Sequence, residues 1–129
     1  MAVSKTLPIM IVDDYSTMLR ILRNLLGQLD FNNVVDASSG DEALQKLLVS
    51  SDIGLIISDW NMQPMTGLEL LKAVRANAKL KHIPFIMVTA ESKTDNVVAA
   101  KQAGVSNYIV KPFNAETLKS KMASVLGPF

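Results

Sequence analysis

Five short apolar runs alternating with five longer stretches of helical period predict an α/β fold: a doubly wound, five-stranded parallel sheet with helices on both faces. Three observations carry this. The runs are short and most are rich in Ile and Val, as strands buried on both faces tend to be. The segments between them carry apolar stripes with helical spacing. Strict alternation of the two patterns calls for right-handed crossovers, which build a parallel sheet.

The runs are Pro8–Val12, Val34–Ala37, Ile53–Ile57, Phe85–Val88 and Tyr108–Val110. After the first, Met18, Ile21, Leu22, Leu25 and Leu29 form one stripe. The second helix carries Ala43, Leu44, Leu47 and Leu48, with Ser39 and Asp41 as start signals. Leu68, Leu71 and Val74 form the third stripe, behind Gly67. Val97, Val98, Ala100 and Ala103 form a weaker fourth. Gly104 reads as the stop of that helix, a role Gly27 does not share in the first. Leu118, Met122 and Val125 form the last.

The 129 residues suit one domain, 1–129, with a polar lead-in at 1–6 expected to fray. No cysteine is present, which excludes a disulfide framework, thiol catalysis and a cysteine zinc site. No apolar run has transmembrane length and no secretory pattern is visible, so the expected setting is the cytoplasm, without a membrane partner. A formal net charge of +1 with scattered Lys and Arg gives no footprint for nucleic acid.

In a sheet of this kind the functional crevice lies beyond the carboxyl ends of the strands. The first run is followed by Asp13 and Asp14, the third by Asp59, Trp60 and Asn61, the fourth by Thr89, Ala90 and Glu91, and the fifth by Lys111 and Pro112. Three carboxylates, a hydroxyl and an ammonium group therefore meet at one rim. Crowded carboxylates resist ionisation unless a cation sits among them. Oxygen ligands without His or Cys favour Mg²⁺. Mg²⁺ takes only one or two carboxylates and leaves room for a phosphate oxygen, so one Asp can be a nucleophile rather than just a ligand and form an acyl phosphate. Taken alone, Asp13 and Asp14 would read as a solvated turn or a helix cap, Thr89 as a strand residue and Lys111 as a surface lysine. Their joint placement argues against those readings. Pro112 has no N–H to offer a ladder, so the last strand should end there. His82, the single histidine, reads as solvated, and the methionines as core fillers.

The segments Ile11-Val12-Asp13-Asp14, Ser58-Asp59-Trp60-Asn61-Met62, Thr89-Ala90-Glu91 and Tyr108-Ile109-Val110-Lys111-Pro112-Phe113 together resemble the receiver domains of response regulators, above all the single-domain chemotaxis type. The resemblance spans nearly the whole chain. It implies a flavodoxin-like sheet of order 2-1-3-4-5, with Asp59 as phosphoacceptor for a histidine kinase. It also implies Mg²⁺ bound directly by Asp14, Asp59 and the Asn61 main-chain carbonyl, and through water by Asp13. Lys111 would contact the phosphoryl group, Thr89 would swing toward it, and Tyr108 would be the aromatic switch. Asn61 and Glu91 match positions that tune the lifetime of the acyl phosphate. Val97, Lys101, Tyr108 and Lys121 fall on the expected partner face.

The resemblance thus implies a monomeric signalling protein that phosphorylates and dephosphorylates itself rather than an enzyme acting on an external substrate. Its output partner would be a flagellar switch protein or, if the chain is a relay shuttle, a histidine phosphotransferase. A binding module independent of phosphorylation would not need this full set of side chains. A phosphatase of the haloacid-dehalogenase type would want an Asp where Asn61 stands. Two departures fall in the loop after Asp59. Gln63-Pro64 stands where the family usually has proline one residue earlier, and Thr66 where an acidic residue often precedes the glycine.

Overall fold

The computed structural model describes residues 4–49, 52–90 and 94–129. Ten elements alternate along the chain: β1 (Ile9–Val12), α1 (Ser16–Gln28), β2 (Val34–Ala37), α2 (Gly40–Val49), β3 (Leu55–Asp59), α3 (Gly67–Ala76), β4 (Phe85–Thr89), α4 (Thr94–Gln102), β5 (Asn107–Val110) and α5 (Ala115–Leu126). The strands form one parallel sheet in the order β2-β1-β3-β4-β5, as the family resemblance implied. Register starts with Ile9 opposite both Val34 and Leu55, continues with Ile56 opposite Phe85, and closes with Ile86 opposite Asn107.

The alternating faces of the strands supply two separate cores. Met10, Val12, Ile56, Phe85 and Met87 pack with α2 and α3, against Leu47, Leu70, Leu71 and Val74. Ile9, Ile11, Leu55, Ile57, Ile86 and Val88 pack with α1 and α5, against Leu22, Leu26, Leu118 and Met122. Strands β1, β3 and β4 are buried at every position, which is why their sequences read as unbroken apolar runs.

The differences from the sequence reading are local. The third strand runs Leu55–Asp59 rather than Ile53–Ile57, because pairing with β1 sets its register. Ile53 is buried without being a strand residue. Asp59 and Thr89 are consequently the last residues of their strands, not the first after them. The α1 stripe is rotated as well. Leu26, absent from the expected set, is fully buried, whereas Ile21 is 42% exposed.

Start and stop chemistry agrees with the sequence. Ser39 Oγ accepts from the Glu42 N–H at the start of α2. Thr66 and Glu69 form a reciprocal capping box at the start of α3, so the departure at Thr66 has a structural use. Gly104 ends the α4 segment with φ +92°, and the Val105 N–H donates back to the Ala100 carbonyl. In the lead-in, Lys5 Nζ donates to the Leu29 carbonyl at 2.8 Å and lies over the rings of Phe31 and Phe129; residues 1–3 lie outside the described residues. No helix among the described residues is long and apolar enough to cross a membrane.

Candidate functional site

The parallel sheet brings the carboxyl ends of β1, β3, β4 and β5 to one rim. Asp13 follows β1, Asp59 ends β3, Thr89 ends β4 and Lys111 follows β5. Backbone bonds stitch these ends together. The Trp60 N–H donates to the Val88 carbonyl at 2.9 Å, and the Lys111 N–H to the Thr89 carbonyl at 2.8 Å. Helix α3 closes in behind Asp59. The Gly67 N–H donates to the Trp60 carbonyl at 2.9 Å, and a Cβ on Gly67 would collide with the Asp59 carbonyl oxygen and with Met87 Sδ at 2.9 Å. Only glycine allows this approach.

Asp13, Asp14 and Asp59 each offer a carboxylate oxygen, all within 4.8 Å of one another. Asp13 and Asp59 are buried and Asp14 is exposed. Lys111 Nζ donates to Asp59 Oδ1 at 3.0 Å and lies 3.7 Å from Asp13 Oδ2. The second distance gives attraction without a hydrogen bond. Asp13 Oδ1 accepts from the Tyr15 N–H at 2.9 Å, while its Oδ2 is buried with no hydrogen-bond partner among the described residues.

Burial pushes the Asp13 carboxyl up to about 6, against the pull of the Tyr15 N–H and with a further push from the Asp59 charge. Burial also raises Asp59, with the Lys111 ammonium opposing it. One lysine cannot neutralise three carboxylates. An oxygen with no partner, two raised acids and an all-oxygen donor set together fit a hard divalent cation of the Mg²⁺ class. The Asn61 main-chain carbonyl, which accepts no hydrogen bond among the described residues, is free to join that set. The Asn61 side chain is exposed and lines a concavity of about 610 Å³ together with Asp14, Met62, Gln63, Pro64 and Thr66.

Behind the rim lies a second space of only about 10 Å³, lined by Trp60, Met87, Thr89, Asn96, Val97, Ala100 and Tyr108. Thr89 is buried; Tyr108 and Val97 are half-buried. Lys121 Nζ of α5 lies over the Tyr108 ring at 5.5 Å, and Lys101 of α4 is exposed. Glu91 lies outside the described residues. Sequence reasoning missed two contributors: the Gly67 approach, and the Tyr15 N–H that fixes the Asp13 rotamer. An apolar-acidic-acidic segment before a helix could have signalled the second; nothing local signals the first.

Comparison with known proteins decides the family. Residues 9–123 match the response regulator receiver domain. The chain belongs to the response-regulator receiver family. This receiver is 51% identical over 117 residues to the chemotaxis protein CheY of Pseudomonas aeruginosa, covering 91% of this chain and 94% of the relative. It is 49% identical over 122 residues to CheY-3 of Vibrio cholerae, covering 95% and 93%. Among solved structures, chemotaxis protein CheY4 of Vibrio cholerae superposes with a TM-score of 0.87 at 35% identity, over 94% of this chain and 99% of that one. A receiver-domain protein of Clostridium thermocellum gives 0.83 at 28% identity, over 93% and 94%. The receiver is thus a signalling domain of the CheY type.

Proposed function

We propose that this receiver accepts a phosphoryl group on Asp59 from a phosphohistidine donor, and that the acyl phosphate switches binding to a partner. The observation that carries the reading is the Lys111–Asp59 contact of 3.0 Å inside the three-carboxylate cluster. A nucleophilic carboxylate, a cation site beside it and a mobile point charge are the parts that phosphoryl transfer needs.

In the proposed reaction an Asp59 carboxylate oxygen attacks phosphorus in line. The P–N bond breaks and its electron pair leaves with the ring nitrogen. A Mg²⁺ ion held by Asp13, Asp14, Asp59 and the Asn61 carbonyl would supply charge neutralisation on the transferring group. Lys111 exchanges its contact with Asp59 for one with a phosphoryl oxygen. The modification adds roughly two negative charges at the rim.

Thr89 then turns its hydroxyl toward the new oxygens. The space it shares with Tyr108 is about 10 Å³, close to that of one water and far too small for a phenol. Inward movement of Tyr108 therefore depends on Thr89 giving way, and this links Asp59 to the α4-β5-α5 surface. Val97, Lys101, Tyr108 and Lys121 form the reading face. The chemotaxis names of the relatives favour a flagellar motor component as the partner, and Asn61 and Glu91 suit a short-lived signal. The domain acts as a monomer and as a unit spanning 1–129.

Intact-mass spectrometry after adding Mg²⁺ and a small phosphodonor tests the reading. Wild type should gain one phosphoryl mass with a change in Trp60 fluorescence, and Asp59→Asn should show neither. Absence of any mass gain in wild type refutes it.

A further inference from the structure

We infer that Arg23 and Lys46 guard the open edge of the sheet at β2, where a second copy of this chain would otherwise pair. The guard bears on the monomeric state proposed above and is independent of the chemistry at Asp59. Strand β2 ends the sheet and is bonded to β1 alone. The Ile9 N–H donates to the Asn33 carbonyl and the Asp13 N–H to the Ala37 carbonyl, so the odd-numbered residues of β2 face β1. Val34 and Asp36 therefore turn their main-chain N–H and C=O groups outward, and such a row is a template for another strand.

Both outward carbonyls are taken, each by a cation from a different helix. Arg23 Nη1 of α1 donates to the Val34 carbonyl at 3.2 Å, and Lys46 Nζ of α2 donates to the Asp36 carbonyl. Neighbouring acids hold both side chains across the edge. Arg23 Nη2 donates to Asp36 Oδ2 at 2.8 Å, and Lys46 Nζ lies 3.3 Å from Glu42 Oε1. Ion pairs this exposed add little to folding stability, so their effect lies in where they put the two cations. The outward N–H groups of Val34 and Asp36 have no hydrogen-bond partner among the described residues. The edge thus keeps its donors and covers its acceptors.

The uncovered edge would be self-complementary. Turned antiparallel about Val35, two copies of β2 place Val34 of one opposite Asp36 of the other. Each such pair exchanges two N–H···O bonds, and the resulting four bonds use every outward group of both strands. Aspartate then faces valine rather than a second aspartate, so no like charges oppose the pairing. With the guanidinium and the ammonium on the carbonyls, neither pair can exchange its bonds.

Amide hydrogen exchange resolved by residue, with sedimentation on the same samples, tests this for wild type and Arg23→Ala/Lys46→Ala across a series of protein concentrations. In wild type the Val34 and Asp36 amides should exchange freely throughout. In the double variant they should slow by about tenfold or more as concentration rises, and the chain should sediment as a dimer. Adding Asp36→Pro deletes one outward N–H without touching the ladder to β1, and should return the double variant to a monomer. Each single variant frees one carbonyl and should slow exchange less than the double. Edge amides of the double variant that exchange as fast as those of wild type at every concentration overturn the inference, as does a dimer that survives Asp36→Pro. If the double variant fails to fold, seen as lost protection at Val35 and Ala37, the single variants decide on the same terms. A wild-type dimer with the two edge amides unprotected would overturn the monomeric reading alone; wild type against the double variant still decides the guard.

Discussion

The two ends of the sheet handle charge in opposite ways. At the amino end, two cations are each held by several partners. Arg75 Nε donates to the Gly104 carbonyl at 2.9 Å, and Nη1 to the carbonyls of Ile83 and Lys81 at 2.7 and 3.2 Å. This one side chain ties α3 to the turns before β4 and β5. Lys5 likewise spends its ammonium on the Leu29 carbonyl and two aromatic faces. At the carboxyl end, three acids share one lysine, and Asp13 Oδ2 has no hydrogen bond among the described residues. One end is finished by the chain itself, and the other awaits a proton or a cation. Stability and reactivity are thereby assigned to different places in a domain of 129 residues.

The contrast can be broken most directly where packing and site coincide. Gly67→Ala pushes a methyl group into the Asp59 carbonyl and Met87, and should cost about 3 kcal/mol in urea denaturation. A cost below about 1 kcal/mol would mean that α3 yields easily and does not clamp β3.

The next largest effect concerns protons. The folded Asp13 carboxyl titrates at about 6, against 3.8 for an ordinary aspartate. The folded state therefore binds this proton more tightly than the unfolded chain. The resulting stability is fully present below about pH 4 and is lost as pH rises through about 6, on the order of 2–3 kcal/mol in all. Denaturation with chelator present should show this decline, and Asp13→Asn should flatten it. An unchanged slope in the variant would assign the decline to another group.

At the amino end, Arg75→Ala should cost about 2 kcal/mol by stranding its carbonyl partners. This loss should be the same at pH 5 and pH 7, since the groups that accept from Arg75 are main-chain carbonyls, which do not titrate. A strongly pH-dependent loss would join the two ends that charge otherwise separates. Smallest of all, Lys5→Met should lower stability by about 1 kcal/mol or less, read from thermal melts, since it removes an exposed hydrogen bond and two ring contacts.

Much of this architecture was legible because run length and Ile/Val content, together with period, separate buried strands from amphipathic helices. The rim residues emerged from topology: once Asp13, Asp14, Asp59, Thr89 and Lys111 stand at strand ends, a parallel sheet has to gather them. What hydropathy cannot see is pairing. Ile53 is as apolar as Leu55, yet only the latter lies opposite Ile9 in the ladder. Nor can it see a side chain that travels. Arg75 reads as a basic residue in the last turn of a helix, and its carbonyl partners lie six to twenty-nine residues onward. Ile21 and Leu26 show the same limit on a smaller scale, since both suit an apolar stripe and only the sheet decides which one is covered.

The crossover topology also sets an order in time. Asp59 and Lys111 touch across 52 residues of sequence, and Lys111 arrives behind the last strand to be synthesised. A chain emerging from the ribosome thus carries its acidic cluster before the ammonium group that offsets it exists. The segment that brings this lysine also brings Ile109, Leu118 and Met122, so the last part of the chain completes the charge of the rim and one core of the sheet together.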